Sequence, residues 1–289
     1  MKIAFDSAME HQLEPVARVR EVAMADTHYV FDNARGETRE RFPALSDLYD
    51  DETIRCLQAL GVAPGWQCLE VAAGGGSIAQ WLAGQVGTRG RVLATDIDTR
   101  FLESLADPAL EVRRHDIARD PLPDPAFDLV HARLILVHVP ERELALAKMV
   151  GALKPGGWLL CEEFDSLSMP ADPALHPDEY ALKAQAAMQR VMASRGANTR
   201  YGRNLAARMR ACGLVDIRAH GRMAMWQGGS PGARLFRANF EQLRDELLRI
   251  GSLTQAELDD DLAHLDDPCT LFPSPVMWTV CGRSPHGSQ

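Results

Sequence analysis

Short apolar runs alternate with stretches of helical periodicity between residues 67 and 164. This alternation is typical of βαβ units, in which helices connect the parallel strands of one sheet. It predicts five strands, at residues 68–72, 91–95, 111–114, 127–131 and 158–162, with helices near 78–86, 100–106 and 141–153. Because proline cannot continue a helix and glycine permits a tight reversal, residues 154–157 (Lys-Pro-Gly-Gly) are expected to form a turn before the fifth strand.

Helical patterns dominate on either side of this region. Residues 1–60 carry apolar positions such as Val16, Val19 and Val22 on one helical face, and we expect them to form an N-terminal cap. Beyond residue 164, the pattern predicts helices at 178–195 and 205–212, a strand at 215–220, two helices between 232 and 265, and a final strand at 276–282. We therefore expect residues 61–289 to form one domain with helical insertions at about 165–212 and 230–268.

Length, charge and cysteine spacing narrow the classes of protein. A chain of 289 residues with 46% hydrophobic residues can bury one large core. Its formal net charge of -9 and the lack of a dense Lys/Arg run disfavour a nucleic-acid partner. The six cysteines form no C-x-x-C pair, so neither a metal site nor a redox motif is expected. No apolar stretch reaches the roughly 20 residues of a bilayer span and no secretory leader is recognisable, which favours the cytoplasm and no membrane partner.

The strongest local motif is Glu-Val-Ala-Ala-Gly-Gly-Gly at residues 70–76, between the first predicted strand and the first predicted helix. Glycine permits positive φ and lets the backbone approach a ligand, and free N–H groups at a helix start favour an anionic group. Gly74, Gly76 and Ala79 also satisfy a loose G-x-G-x-x-A dinucleotide pattern, with Asp96 about 20 residues further on. The loop alone is therefore ambiguous between a dinucleotide and another ligand.

Three acidic residues near successive strand ends favour a cationic nucleoside. Glu70 can face an ammonium group, whereas it offers a pyrophosphate no favourable contact. Asp96 follows the second strand, where its oxygens can accept both ribose hydroxyls, and Ile97 can cover an adenine face. Asp116, with Ile117 beside it, follows the third strand and can accept the exocyclic amine of adenine. Ammonium, ribose and adenine are together the parts of S-adenosylmethionine.

The chain resembles the class I S-adenosylmethionine-dependent methyltransferases, especially the small-molecule group related to quinone-biosynthesis enzymes. The resemblance is carried by five segments, which are E-V-A-A-G-G-G, A-T-D-I-D, H-D-I, F-D-L-V-H-A-R and L-K-P-G-G-W-L-L. It implies an α/β, Rossmann-like sheet of seven mostly parallel strands with helices on both faces. The last strand, at residues 275–282, would be antiparallel. It also implies S-adenosyl-L-methionine as the cofactor.

Roles for individual residues follow from this resemblance. The loop with Glu70, Ala72, Gly74 and Gly76 would hold the methionine end, and Asp96 would hold the ribose. Adenine would lie among three residues, Ile97, Asp116 and Ile117, and Arg133 would face the cofactor or the acceptor. Ala72 replaces the first glycine of the family pattern, which is tolerable if its φ is negative.

Methyl transfer from a sulfonium requires alignment and exclusion of water, and a hydroxyl acceptor would also need a base. We expect His138 or Glu163 to orient or deprotonate the acceptor, although its apolar sequence neighbours favour a hydrogen-bonded core histidine for His138. The acceptor pocket is expected to include four residues, Tyr29, Phe31, His131 and Met225, for which core packing is the alternative. Residues 259–261 (Asp-Asp-Asp) are expected to be a solvated helix face.

The sequence thus predicts methyl transfer to a small organic molecule, with a secondary metabolite as the expected acceptor and a homodimer as the default assembly. Three alternatives stay open. The first is an NAD-dependent oxidoreductase that uses Gly74, Gly76 and Asp96. The second is a cofactor-binding module of the same fold without methyl transfer, and the third is a methyltransferase fold that serves another reaction, such as cyclisation.

Overall fold

A computed structural model describes residues 31, 36, 38–169 and 182–286. Its strands are β1 (Gln67–Val71), β2 (Arg91–Asp96), β3 (Leu110–Arg114), β4 (Phe127–Arg133), β5 (Leu153–Asp165), β6 (Val215–Arg222), β7 (Met225–Gln227), β8 (Leu271–Pro273) and β9 (Val276–Arg283). Its α-helices are α1 (Thr38–Leu60), α2 (Ser77–Val86), α3 (Arg142–Gly151), α4 (Lys183–Ser194), α5 (Leu205–Ala211), α6 (Pro231–Arg249) and α7 (Gln255–Asp266).

The central sheet has seven strands in the order β3-β2-β1-β4-β5-β9-β6. Strands β1 to β5 pair in parallel, and β9 is antiparallel to both of its neighbours, β5 and β6. Side chains of β1, β2 and β4 are buried along nearly their whole length, as expected for parallel strands covered by helices on both faces. The predicted fold class, including the antiparallel last strand, is confirmed.

Two local predictions in the sheet region are wrong. Residues 100–106 form successive turns instead of a helix, with Leu102 N bonded to Thr99 O and Leu105 N bonded to Leu102 O. Residues 154–157 belong to β5 instead of preceding it, because the end of β9 extends the pairing: Gly156 N donates to Ser284 O at 3.1 Å. The register of β5 against β4 shifts at this stretch, so that Phe127 pairs with Leu153 and Leu129 pairs with Trp158.

Helices α1, α4, α6 and α7 cover one end of the sheet. Helix α1 packs against α6, and α4 packs against both α6 and α7. These helices enclose a second apolar core, in which Phe236 stacks on Phe240 and on Phe272 of β8. The predicted helix at 178–195 is observed from Lys183, and residues 178–181 lie outside the described part of the chain.

The acidic run at 259–261 is not uniformly solvated, so that expectation is wrong for one of its three residues. Asp261 is only 4% exposed, and its Oδ2 accepts a hydrogen bond from Ala184 N in the first turn of α4 at 2.6 Å. Leu182, at the N-cap of α4, has no side-chain group that can cap the helix. A carboxylate of α7 therefore caps α4 from a distant position in the chain.

Within the described ranges, no helix combines the length and apolar character that crossing a bilayer requires.

Candidate active site

A large cavity lies at the carboxyl ends of the central strands, beneath helices α1, α4 and α6. Its empty volume is about 1540 Å³, part of which is open to solvent. Ligands of open α/β sheets bind at this edge, beyond the carboxyl ends of the strands. One end of the cavity is formed by the loops after β1, β2 and β3, and the other end by α4, α6 and Phe31.

The glycine-rich loop follows β1 and forms the floor of the first end. Gly74 has φ +54 and lines the cavity, with Phe42 of α1 packed over it. Gly76 has φ +81 and is the N-cap of α2, but it is not part of the cavity lining. A Cβ there would lie 2.3 Å from Leu105 Cδ1, so the absence of a side chain at Gly76 serves close packing behind the loop.

Ala72 does not have the negative φ that would let it replace glycine without strain. Its φ is +56, a left-handed conformation, so the expectation of a negative φ is wrong. The adjacent Ala73 N donates to Thr95 O at 2.9 Å, which ties the loop to β2 and holds this bend. Ala72 lines the cavity and carries a strained backbone at the entrance to the loop.

Glu70 and His131 form a buried ion pair between β1 and β4. His131 Nδ1 lies 2.7 Å from Glu70 Oε2, and His131 Nε2 lies 3.5 Å from Glu162 Oε2. Burial by itself would lower the pKa of His131, but the two carboxylates outweigh it and raise that pKa to about 9. Glu70 lines the cavity, whereas His131 is fully buried behind it and is not part of the lining.

Asp96, at the end of β2, lines the cavity with both oxygens held by backbone donors. Oδ2 accepts from Gly74 N at 2.9 Å and Oδ1 accepts from Asp98 N at 3.0 Å. Burial raises the pKa of Asp96, and these donors act in the opposite direction. A carboxylate has about four acceptor positions, more than the backbone donors around Asp96 occupy. Ile97 beside it is 44% exposed and gives the cavity an uncovered apolar wall.

The loop after β3 contributes less than predicted. Ile117 and His115 line the cavity, but Asp116 does not. Asp116 Oδ1 instead accepts a hydrogen bond from Ala118 N at 2.9 Å, within its own loop. The structure therefore brings the residues Glu70, Ala72, Gly74, Asp96, Ile97 and Ile117 to one end of the cavity and leaves Gly76 and Asp116 behind it.

Arg133 lines the cavity where β4 ends, next to the cap. Its Nη2 donates to Asp50 Oδ1 at 2.8 Å, and its Nη1 donates to Thr53 Oγ1 at 3.0 Å. Thr53 Oγ1 also donates to Glu162. Both partners of Arg133 belong to α1, so this arginine fastens the cap helix to the sheet while it faces the cavity.

The two predicted catalytic residues occupy different environments. His138 lines the cavity and makes an edge contact with Phe31, at 5.9 Å between ring centroids. Burial and the nearby Arg41 guanidinium lower the pKa of His138 to about 3, so its imidazole is neutral. Glu163 is fully buried and lies outside the lining, and a catalytic role for it stays a prediction.

Glu163 holds the loop that carries His138. Its carboxylate accepts hydrogen bonds from Ile135, Leu136 and Val137 N at 3.1, 2.7 and 3.2 Å. Burial raises the pKa of Glu163 to about 8, against the opposing effect of the three donors. The contacts of this carboxylate fix the backbone between β4 and His138.

The second end of the cavity is apolar and was largely missed by sequence reasoning. Of the four predicted acceptor-pocket residues, Phe31 lines the cavity, His131 lies behind it, and Tyr29 is outside the described residues. Met225 is 57% exposed on β7 and is not in the lining. Residues not anticipated at this end are Met188, Met192, Leu235, Phe236, Gln185 and Asn239. Only helical periodicity marked these segments, and it does not tell which face meets a ligand.

Comparisons with known proteins agree with this geometry. The family described as a methyltransferase domain matches residues 69–161. The ubiquinone/menaquinone biosynthesis C-methyltransferase of Laribacter hongkongensis is 34% identical over 53% of this chain and 67% of its own length. The corresponding protein of Cupriavidus taiwanensis is 33% identical over 55% of this chain and 74% of its own length. Across such relatives, this chain spans 66% to 82% of their length.

Solved structures share the fold at low identity. The BH2331 protein of Bacillus halodurans superposes with a TM-score of 0.53 at 18% identity, over 80% of this chain and 98% of that one. Phosphoethanolamine N-methyltransferase 2 of Haemonchus contortus, solved with S-adenosyl-L-methionine, has a TM-score of 0.52 at 15% identity, over 82% of this chain and 52% of that one.

The sheet has seven strands, one of them antiparallel, and a glycine-rich loop and a carboxylate lie at adjoining strand ends, an arrangement that suits a nucleoside-containing ligand. With the relatives above, this chain belongs to the class I S-adenosylmethionine-dependent methyltransferases, and S-adenosylmethionine is its cofactor.

Proposed function

We propose that this enzyme methylates a small, neutral and largely apolar organic molecule held at the second end of the cavity. The observation that carries the proposal is the continuity of the cavity. A single space connects the loop with Glu70 and Asp96 to a wall of methionine and aromatic side chains from α4 and α6. An acceptor lying on that wall would be next to the cofactor and shielded from water by helices α1, α4 and α6.

The residues at the first end suit the cofactor. Glu70 offers a carboxylate to the ammonium group, Asp96 keeps acceptor positions for the ribose hydroxyls, and Ile97 and Ile117 flank space for adenine. S-adenosylmethionine supplies a sulfonium-bound electrophilic methyl group when bound. Gly76 and Asp116 would support the site indirectly, through loop packing and loop hydrogen bonds.

His138 is the residue best placed to orient the acceptor. A group with a pKa of about 3 is too weak a base to hold a proton at neutral pH. Its neutral imidazole can accept a hydrogen bond from a hydroxyl or amine of the acceptor and so align it. Positioning of this kind supplies much of the acceleration that a displacement reaction needs.

Several finer features remain proposals. The relatives named for carbon methylation in quinone biosynthesis support a ring-bearing acceptor, and product analysis distinguishes carbon from oxygen methylation. A secondary metabolite as acceptor, a cytoplasmic location and a homodimer stay predictions from the sequence.

The test has two parts. Titration calorimetry with S-adenosylmethionine and with NAD is expected to show binding of the first alone; binding of NAD alone would favour the oxidoreductase. Incubation of a metabolite extract with deuteromethyl-labelled S-adenosylmethionine, followed by mass spectrometry, is expected to yield a labelled small molecule that boiled enzyme does not produce. Cofactor binding with no labelled product would favour a binding module without methyl transfer.

A further inference from the structure

Two buried amide side chains lie on the apolar wall of the cavity, on different helices. Gln185 of α4 is 6% exposed and Asn239 of α6 is 8% exposed, and both line the cavity. Among the residues that the structure describes, neither Gln185 Oε1 nor Asn239 Oδ1 accepts a hydrogen bond. Because burying an unsatisfied acceptor is costly, two such oxygens on one cavity wall indicate a ligand that donates to them.

The orientation of the Gln185 amide is set by a neighbour. Its Nε2 contacts Met169 Sδ at 3.4 Å as a weak hydrogen-bond donor, so the oxygen is the group that remains for a ligand. Both oxygens are themselves shielded from solvent, so presenting one to a ligand requires rotation about the last torsion of the amide, which is soft.

The same wall carries no charge. The side chains that α4 and α6 contribute to the lining are Gln185, Met188, Gln189, Met192, Leu235, Phe236 and Asn239. The arginines elsewhere in the lining already have partners. Arg133 is paired with Asp50, and the Arg41 guanidinium lies 4.8 Å from the centroid of the Phe31 ring. A carboxylate or phosphate lying against α4 and α6 would be desolvated there without a charged side chain from either helix.

We propose that Gln185 and Asn239 form a polar subsite that accepts hydrogen bonds from hydroxyl or amine groups of an uncharged acceptor. The proposal rests on the methyltransferase function proposed above and specifies the acceptor class. The acceptor is a largely apolar molecule with hydrogen-bond donors on the part that lies against α4 and α6, and it has no anionic group there.

The experiment measures binding of three matched aromatic probes to the enzyme saturated with S-adenosylhomocysteine. The probes are a dihydroxynaphthalene, its dimethyl ether and a naphthoate, each titrated to millimolar concentration. We expect the diol to bind about tenfold more tightly than the ether, which is the difference in affinity that one or two net hydrogen bonds produce. We also expect the diol to bind more tightly than the naphthoate. The double variant Gln185→Met, Asn239→Leu is expected to lose this preference. Gln189→Met, on the same wall, is the matched control and is expected to keep it.

The outcomes separate this subsite from the wider function. Failure of the wild-type enzyme to bind S-adenosylhomocysteine would contradict the proposed function itself. With that binding intact, equal affinity for diol and ether, including no detectable binding of either, overturns the subsite. Tightest binding of the naphthoate also overturns it, as does a double variant that binds S-adenosylhomocysteine normally and still prefers the diol. If the double variant does not fold, the single variants Gln185→Met and Asn239→Leu take its place, and an undiminished preference for the diol in both overturns the subsite.

Discussion

Ala72 holds a left-handed backbone conformation directly before the glycine-rich loop. Its φ of +56 is one of three positive values among non-glycine residues in the described part of the chain. The left-handed region costs an L-residue about 1–2 kcal/mol relative to the right-handed one. The hydrogen bond from Ala73 N to Thr95 O holds the loop in this shape, so the strain is stored where the cofactor is expected to lie.

Ala72→Gly is expected to raise the free energy of unfolding by about 0.5–1 kcal/mol. Glycine removes the strain, and its greater freedom in the unfolded chain offsets part of the gain. Urea unfolding followed by circular dichroism measures the effect. Ala73→Gly is the control and is expected to destabilise, since Ala73 is not among the residues with positive φ. Equal destabilisation by both changes would show that Ala72 is not strained.

Asp96→Asn is expected to weaken S-adenosylmethionine binding by about ten- to hundredfold. The change keeps the size of the side chain but removes the charge that strengthens hydrogen bonds from the ribose hydroxyls, an effect of about 1.5–3 kcal/mol. Calorimetry measures the dissociation constant. Asp98→Asn is the matched control, because Asp98 lies outside the cavity lining and pairs with Arg100. Similar losses in both variants would argue against direct contact with Asp96.

Helix α4 is capped at its N-terminus by a carboxylate from a distant part of the chain. It carries Gln185, Met188 and Met192 into the cavity, and Asp261 of α7 accepts a hydrogen bond from its first turn. Lys183 and Glu257, 2.8 Å apart, add an exposed ion pair between the same two helices. The position of the apolar wall of the cavity is thus linked to α7, which has no residue in the cavity lining.

Asp261→Ala is expected to lower the free energy of unfolding by about 1–2 kcal/mol, the usual cost of losing a helix N-cap. Asp260→Ala is the control, because Asp260 is exposed, and its effect is expected to stay within about 0.5 kcal/mol. Hydrogen exchange of the α4 amides should accelerate in the first variant alone. Unchanged stability in Asp261→Ala would mean that burial of its carboxylate cancels the value of the cap.

Across the whole molecule, one buried charge network connects the first end of the cavity to helix α1. His131 of β4 lies between Glu70 of β1 and Glu162 of β5, and Glu162 accepts hydrogen bonds from Thr53 of α1 and Thr279 of β9. A protonated His131 compensates two buried carboxylates at once. Removal of one partner of a buried ion pair typically costs 3–5 kcal/mol, so His131→Gln should be strongly destabilising at neutral pH.

The stability of the protein should therefore depend on pH through His131. The pKa of His131 is about 9 in the folded state, above the ordinary value of 6.5. The folded state therefore holds the imidazole proton more tightly than the unfolded state. The stabilisation is complete below pH 6.5 and is lost as pH rises through about 9. Glu163, with its pKa raised to about 8, contributes a further decline above pH 4.5.

Urea unfolding of the wild type and of His131→Gln across this pH range separates the two contributions. The difference in unfolding free energy between them is expected to be largest below pH 6.5 and to shrink toward pH 9. His264→Gln, at a position on α7 far from the network in sequence, is expected to show a small difference that does not vary in this way. A difference independent of pH would contradict a protonated His131.

The sequence by itself determined the positions of the parallel strands and, through the family resemblance, the antiparallel last strand, and it picked out most residues of the loops at the first end of the cavity. Strand periodicity and strand-end loops are local features, so Glu70, Gly74, Asp96 and Ile97 could be found from short segments. Only the tertiary structure decided that His131 lies behind Glu70 and that α4 and α6 form the second wall. Helix packing and the pairing of β7 with β8 join residues far apart in the chain, and no local pattern encodes which faces meet.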